Sequence, residues 1–298
     1  MNLTDYNEIR ALLARHKFQF SKSKGQNFLT AAWVPEDIAA SAGLDEHTGV
    51  LEVGPGVGCL TKELSLRAGK VLSVELDRDL KPVLAETLAE CKNVELLFAD
   101  ALKQDLAGLV EEHMPGMRHV VCANIPYNVT SPLLTAFLEA DCFETVTVMI
   151  QREVAKRICA GPGTADYGAF GIFVQWHCVP ELLFDVPPSC FVPRPKVTSS
   201  VVRLTKRAAP PAMVLDEKLF FHVVRAAFNQ RRKTLVNALS SQLPGLDKGL
   251  LEAVLTECGL DPRVRGEALD ISAFARIADA IFRAQNTDFW RKGIAKEQ

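Results

Sequence analysis

Long apolar runs are missing from this chain. None approaches the roughly 18 consecutive apolar residues of a membrane-spanning helix, so no span is expected. The first residues carry Asp5, Glu8, Arg10 and Arg15, which no secretory signal core accommodates; the expected compartment is the cytoplasm. Paired cysteines are missing too. Eight cysteines (59, 91, 122, 142, 159, 178, 190 and 258) include no Cys-x-x-Cys, and most lie in apolar runs. That pattern reads as reduced core thiols rather than a disulfide framework or zinc site. His177 and Cys178 are adjacent and diverge on any regular element, so no metal is expected. There is no excess of either charge: 34 Lys and Arg face 36 Asp and Glu, net −2. No global field draws a polyanion, and a nucleic-acid surface has to be a local patch. Internal repeats and low-complexity tracts are absent as well.

What is present suits a globular chain with an ample core: 298 residues, 48% hydrophobic and 23% charged, enough for one large domain with a small one. The organising stretch is Val50-Leu51-Glu52-Val53-Gly54-Pro55-Gly56-Val57-Gly58. An apolar run stops at three alternate glycines, and Leu60 to Leu64 then reads as a helix. This is a buried parallel strand, a tight turn and a helix start, the opening of a doubly wound α/β domain. Backbone without side chains at 54 and 56 lets a ligand press against the turn. A dinucleotide fingerprint places its third glycine three residues after the second; Cys59 stands there. The spacing therefore favours S-adenosylmethionine, which has no pyrophosphate, over NAD. By itself the turn fits other α/β proteins equally.

Further strands are expected at Val71–Leu76, Asn93–Phe98, Val120–Ala123 and Thr145–Ile150, with a final antiparallel pair at Leu182–Val186 and Val197–Leu204. Glu75 ends the second strand, 21 residues after Gly54. A carboxylate there can accept from both ribose hydroxyls of a nucleoside. Asp100, followed by Ala101, ends the third; it either accepts from an adenine amine or caps the next turn.

The fourth strand runs into Asn124-Ile125-Pro126-Tyr127, and Ser131-Pro132 is expected to cap and start a helix. Pro126 fixes the backbone and removes a donor. Asn124 offers an amide oxygen, Ile125 its carbonyl and Tyr127 a flat face. Two acceptors on an exocyclic adenine amine draw the nitrogen toward a pyramidal shape and free its lone pair. A stacked aromatic contributes about 1–3 kcal/mol. Such chemistry is mostly positioning and electrostatics. Phe191, in the proline-braced Phe191-Val192-Pro193-Arg194-Pro195-Lys196, either presses on the other face of the base or belongs to a stiff crossover between strands.

Cations fall in four places. The basic, Phe-interleaved segment 17–29 reads as a lid bringing Gln26 and Asn27 to a ligand and Lys22 and Lys24 to phosphates; the competing reading is a solvated linker. Arg152 and Lys156 share a helix face, and Arg194 and Lys196 sit in the loop. Arg231, Arg232 and Lys233 open an expected helix 231–239, against the helix macrodipole, which points to a polyanionic partner. Ala208-Ala209-Pro210-Pro211 marks a boundary, after which the pattern is helical. The division expected is 1–209, an α/β domain with its lid at 1–30, and 210–298, a small all-α domain that carries the last cation cluster.

Taken together, Gly25–Leu29, Leu51–Gly58, Val74–Asp77, Asp100, Asn124–Tyr127, Phe191–Ser199 and Phe228–Leu235 resemble the rRNA adenine N6-dimethyltransferases, above all the bacterial small-subunit branch. The resemblance implies a Rossmann-like methyltransferase with a mainly parallel seven-stranded sheet and a helical C-terminal domain. It implies S-adenosylmethionine contacts at Asn27, Leu29, Gly54, Glu75, Asp100 and Asn124, with Gln26, Gly56 and Ala101 beside them. The implied substrate is a pair of adjacent adenosines near the 3′ end of 16S rRNA, dimethylated in the small ribosomal subunit by a monomer that serves subunit biogenesis. Lys24, Cys59 and Ile125 depart from the usual pattern without removing a needed group. The alternatives are the 23S rRNA enzyme that confers macrolide resistance, a non-catalytic RNA-binding assembly factor, and a DNA adenine methyltransferase. Phe228–Leu235 resembles the small-subunit branch; intact Gly54, Glu75 and Asn124 oppose a non-catalytic role.

Overall fold

The computed structural model describes residues 1–18, 27–243 and 245–294, with side chains to residue 285. The expectations resting on Lys22, Lys24 and Gln26 lie outside the described residues. Helix α1 (Tyr6–Arg15) is capped by Asp5, which accepts from the amides of Asn7 and Glu8, and it buries Ile9, Leu12 and Leu13. Strand β1 (Phe28–Leu29) and helix α2 (Trp33–Ser41) follow. Then strands and helices alternate: β2 (Thr48–Val53), α3 (Cys59–Ser65), β3 (Lys70–Glu75), α4 (Lys81–Thr87), β4 (Val94–Phe98), α5 (Leu106–His113), β5 (Arg118–Asn124), α6 (Thr130–Glu139), β6 (Thr145–Gln151) and α7 (Arg152–Cys159). After α8 (Ala169–His177) come β7 (Cys178–Val186), β8 (Phe191–Val192) and β9 (Ser199–Lys206). The chain ends in α9 (Glu217–Asn229), α10 (Leu235–Gln242), α11 (Lys248–Glu257) and α12 (Ile271–Ile294).

Seven strands form one sheet in the order β4-β3-β2-β5-β6-β9-β7. The first five are parallel. Strand β9 lies antiparallel between β6 and β7, as the sequence pattern implied. β2 is buried at all six positions, as expected for a parallel strand covered on both faces. From β2 the order runs outward through β3 and β4, then returns to β5 on the opposite side of β2. Such a reversal opens a crevice at the carboxyl ends of the two central strands. A separate two-residue ribbon pairs Phe28 with Val192 and Leu29 with Phe191.

The chain divides into two compact units, 1–155 with 178–206, and 156–177 with 207–298. A single cut near residue 209 misses that 156–177 belong with the helices. The reason is packing: Tyr167, Ile172 and Trp176 are core residues alongside Phe220, Leu235 and Phe274. Trp176 stacks on Phe220 at 4.3 Å, and the Tyr167 hydroxyl donates to the Leu269 carbonyl at 3.0 Å.

Two local expectations are corrected. Helix α6 begins at Thr130, with Val129 in the cap position and no side-chain cap. Ser131 and Pro132 lie inside the first turn, because a 3₁₀ turn over Tyr127–Val129 feeds the helix directly. Arg231, Arg232 and Lys233 occupy a turn before α10, not a helix start; the Lys233 amide donates to the Gln230 carbonyl at 2.8 Å. Among the described residues no helix is long and apolar enough to cross a membrane.

Candidate active site

The crevice between β2 and β5 is a cleft within the sheet unit. The glycine turn forms its floor. Gly54 (φ +76°) donates to the Val74 carbonyl at 3.0 Å, and a side chain there would stand 3.6 Å from Pro126. Gly56 (φ +61°) would drive a methyl to 3.2 Å from the Phe28 ring. Both positions therefore need glycine for backbone shape, and Gly56 for closeness as well.

Glu75 ends β3 at the cleft and is 7% exposed. One carboxylate oxygen accepts from the Asp77 amide at 2.7 Å. Burial raises its pKa, against the lowering effect of backbone donors at Asp77, Gly56 and Leu76. A carboxylate held beside the glycine turn is an acceptor poised for ligand hydroxyls. Behind it lies Glu52, 1% exposed, which accepts from Ser73 Oγ at 2.6 Å and Thr61 Oγ1 at 2.7 Å. Burial pushes Glu52 up to about 7; the two hydroxyls pull it down and the charge of Glu75 raises it further. Sequence reasoning gave Glu52 no role. The available signal was an acid inside an otherwise apolar buried strand.

At the end of β4, Asp100 lines the cleft and also caps a turn: its Oδ1 accepts from the Leu102 amide at 3.1 Å. The capping reading is thus observed, on a side chain that also stands at the cleft. Leu76 and Leu102, 62% and 42% exposed, line the cleft beside the two acids. They form an apolar slot that the sequence reading missed; the signal was an apolar residue one or two places after each strand-end acid. Cys59 also lines the cleft, and burial followed by the Glu52 charge pushes its thiol up to about 12, so it stays protonated.

The opposite wall is Asn124-Ile125-Pro126-Tyr127. The Ile125 amide donates to the Met149 carbonyl at 3.2 Å and its side chain is buried, which locks that peptide. The Asn124 carboxamide has no hydrogen-bond partner among the described residues. Tyr127 is half-buried, its hydroxyl 2.6 Å from Ser199 Oγ. Asn27, Leu29 and Ala101 complete the set of expected contacts that the structure brings into one cleft. Among the described residues lining it there is no lysine, arginine or histidine, whereas Glu52, Glu75 and Asp100 are all present.

Phe191 is a correction. It does not line the cleft; it is 4% exposed, paired with Leu29 and packed with Val34, Val186 and Val201 in the core. The ribbon places it among the core residues, away from the cleft lining. Arg152 and Lys156 lie on exposed α7 positions, Arg152 with Nε 3.3 Å from Asp185, and Arg194 and Lys196 sit in the exposed loop before β9. In the helical unit the three clustered cations differ. Arg231 donates to Glu267 at 2.7 Å and to the carbonyls of Ala165 and Thr164 at 2.6 and 3.0 Å. Arg232 and Lys233 are exposed. Among the described residues no group of three or more His, Cys, Asp or Glu could hold a metal ion.

Comparison with known proteins agrees with this geometry. The family model for ribosomal RNA adenine dimethylase matches residues 17–281. A ribosomal RNA small subunit methyltransferase A from Clostridium botulinum is 45% identical over 92% of this chain and 98% of its own. One of the same name from Geobacillus thermodenitrificans is 46% identical over 91% and 94%. Two solved structures share the fold: a dimethyladenosine transferase from Plasmodium falciparum (TM-score 0.69, 26% identity, 84% of this chain and 95% of that one) and the 23S rRNA methyltransferase ErmE (TM-score 0.65, 28% identity, 85% and 98%). The chain belongs to the ribosomal RNA adenine dimethylase family.

Proposed function

We propose that this protein transfers methyl groups from S-adenosylmethionine to the N6 amines of two adjacent adenosines near the 3′ end of 16S rRNA in the small ribosomal subunit, and so serves subunit biogenesis. The observation that carries the reading is a cleft lined by three carboxylates and no described cation, with an uncommitted Asn124 carboxamide on the facing wall. The residues fit the cofactor. Glu75 suits the ribose hydroxyls, Leu76 and Leu102 a flat base, and the acids a cation. A pyrophosphate would find like charge instead. When bound, the cofactor supplies a methyl group on a sulfonium cation.

Against that methyl the chain holds the amine. Asn124 Oδ1 and the Ile125 carbonyl are the two acceptors, one on each amine proton, and Pro126 fixes the turn that presents them. Tyr127 offers the stacking face. No strong base is needed, because the attacked carbon already carries a good leaving group. The work is orientation and fixed dipoles. With Phe191 buried, Tyr127 alone of the two expected rings serves as platform. Arg152, Lys156, Arg194, Lys196, Arg232 and Lys233 are the candidate phosphate contacts, joined by Lys22 and Lys24 of the N-terminal segment. Arg231 instead holds the turn on which its two neighbours stand. The small subunit is favoured over the large by the names of the curated relatives and by Phe228–Leu235. The protein is proposed to act as a cytoplasmic monomer. Unmodified small and large subunits incubated with labelled cofactor should yield dimethyladenosine from the small subunit only. Label confined to the large subunit would replace the reading with its 23S alternative, and no label in either would favour an assembly factor.

A further inference from the structure

A tyrosine whose ring alone mattered would need no hydroxyl. The chain carries 16 phenylalanines and only three tyrosines, and at Tyr127 the hydroxyl is put to use. Its partner at 2.6 Å is Ser199 Oγ. Ser199 is fully buried, the first residue of β9, and paired across the sheet with Gln151 of β6 and Val186 of β7. Its backbone is thus held from both sides. The next residue, Ser200, points to the other face of β9, where its Oγ donates to Asp185 at 2.6 Å. Strand alternation leaves Ser199 facing Tyr127. The Tyr127 backbone is fixed separately by Pro126 (φ −57°, ψ 133°) and the turn that follows. Two torsions remain between that backbone and the ring plane: χ1 swings the ring, and χ2 spins it about the axis through the hydroxyl oxygen. A bond at the far end of the ring removes the first and so holds the ring in place.

We infer that Ser199 is a positioning residue which, through the Tyr127 hydroxyl, fixes the position of the ring on which the target base stacks. The inference rests on the proposed role of Tyr127 as that platform. Burial raises the Tyr127 pKa and so keeps the hydroxyl protonated. The anchor also has a place in the chain: loop 193–198, with Arg194 and Lys196, runs from the ribbon that pairs with cleft residues Phe28 and Leu29 to Ser199 itself. The segment is tied to the cleft at both ends.

Ser199→Ala should lower kcat on small subunits roughly ten- to hundred-fold, the scale of a misplaced reactant, and leave the cofactor Kd unchanged. Tyr127→Phe removes the same bond from the other side and should match it. The double variant should be no slower than either single one. A readout independent of turnover comes from 3-fluorotyrosine incorporation, which gives three fluorine resonances. Tyr127→Phe identifies its own signal by deletion. Ser199→Ala should then move that signal and leave those of Tyr6 and Tyr167 in place. An unmoved signal, a wild-type kcat in Ser199→Ala, or losses that multiply in the double variant would each overturn the inference. A wild-type protein that methylates neither subunit would overturn the functional reading instead, and the fluorine signal would still decide whether Ser199 fixes the ring.

Discussion

The two units differ in what they bury. In the sheet unit Thr48, Glu52, Thr61, Ser73, Glu75, Asp77, Thr130, Thr147, Ser199 and Ser200 are all buried polar side chains; among the described residues the helical unit buries none. Its core is Trp176, Phe220, Phe274 and their aliphatic neighbours, with the Tyr167 hydroxyl bonded to a backbone carbonyl inside it. A buried polar group costs stability unless it is partnered, so a cluster of them marks a place where stability alone did not choose the residues. Most of the sheet unit's cluster lies at or beneath the cleft, whereas Thr48 and Thr147 stand elsewhere on central strands. The lesson is that the sheet unit carries its polar chemistry in its interior, whereas the helical unit's clustered cations Arg232 and Lys233 lie on its surface.

The largest effect that would sharpen this contrast is at Asn124. Replacing it with alanine removes one acceptor from the cleft and leaves Glu75 and Asp100 in place for the cofactor. Turnover should fall on the order of a hundred- to a thousand-fold, the usual consequence of deleting one preorganised polar partner, while calorimetry still detects cofactor binding. Turnover within a few-fold of wild type would break the contrast at its centre.

Next is Glu52, the most deeply buried carboxylate. Its pKa stands at about 7 in the folded chain against an ordinary 4.5, so the folded state holds the proton more tightly than the unfolded one. The stability this provides is complete below pH 4.5 and is lost as pH rises to about 7. Wild-type protein should thus lose about 3 kcal/mol of unfolding free energy across that window from this group. Glu52→Gln cannot titrate, and its urea midpoint should fall less between pH 5 and pH 8. Parallel profiles for the two proteins would show that Glu52 remains ionised throughout.

The smallest effect is at the helical surface. Neutralising Arg232 and Lys233 together should reduce the salt slope of RNA binding by about 1.5, two phosphate contacts at roughly 0.7–0.9 each. Arg231→Gln should leave the slope nearly intact and lower the melting temperature, because its guanidinium is engaged by Glu267 and two carbonyls. A slope that responds equally to all three would erase the distinction between scaffold and contact.

Much of this was readable from the residues. The parallel strands, the glycine turn and the strand-end acids announce themselves through uninterrupted apolar runs and abrupt stops, and the structure gathers Asn27, Gly54, Glu75, Asp100 and Asn124 in one cleft. What was not readable depended on pairing distant in sequence. Phe191 turns inward because Leu29 lies opposite it. The helical pattern at 169–177 carries no mark that its partners lie beyond residue 217. Arg231 looks like its neighbours until Glu267 is placed beside it. Local pattern reports an element and its buried face; it is silent on which remote side chain completes a polar group.

The helical unit's core is drawn from two separate lengths of chain, and synthesis delivers them far apart in time. Tyr167, Ile172 and Trp176 leave the ribosome before Phe220, and almost a hundred residues separate Trp176 from Phe274. At ordinary elongation rates that interval is about 5–20 s. For that time the core lacks Phe274, and the Tyr167 hydroxyl lacks the Leu269 carbonyl that it bonds. The helical core is thus complete only when α12 has emerged, and an arrest or truncation before residue 269 would leave the Tyr167 hydroxyl without its acceptor.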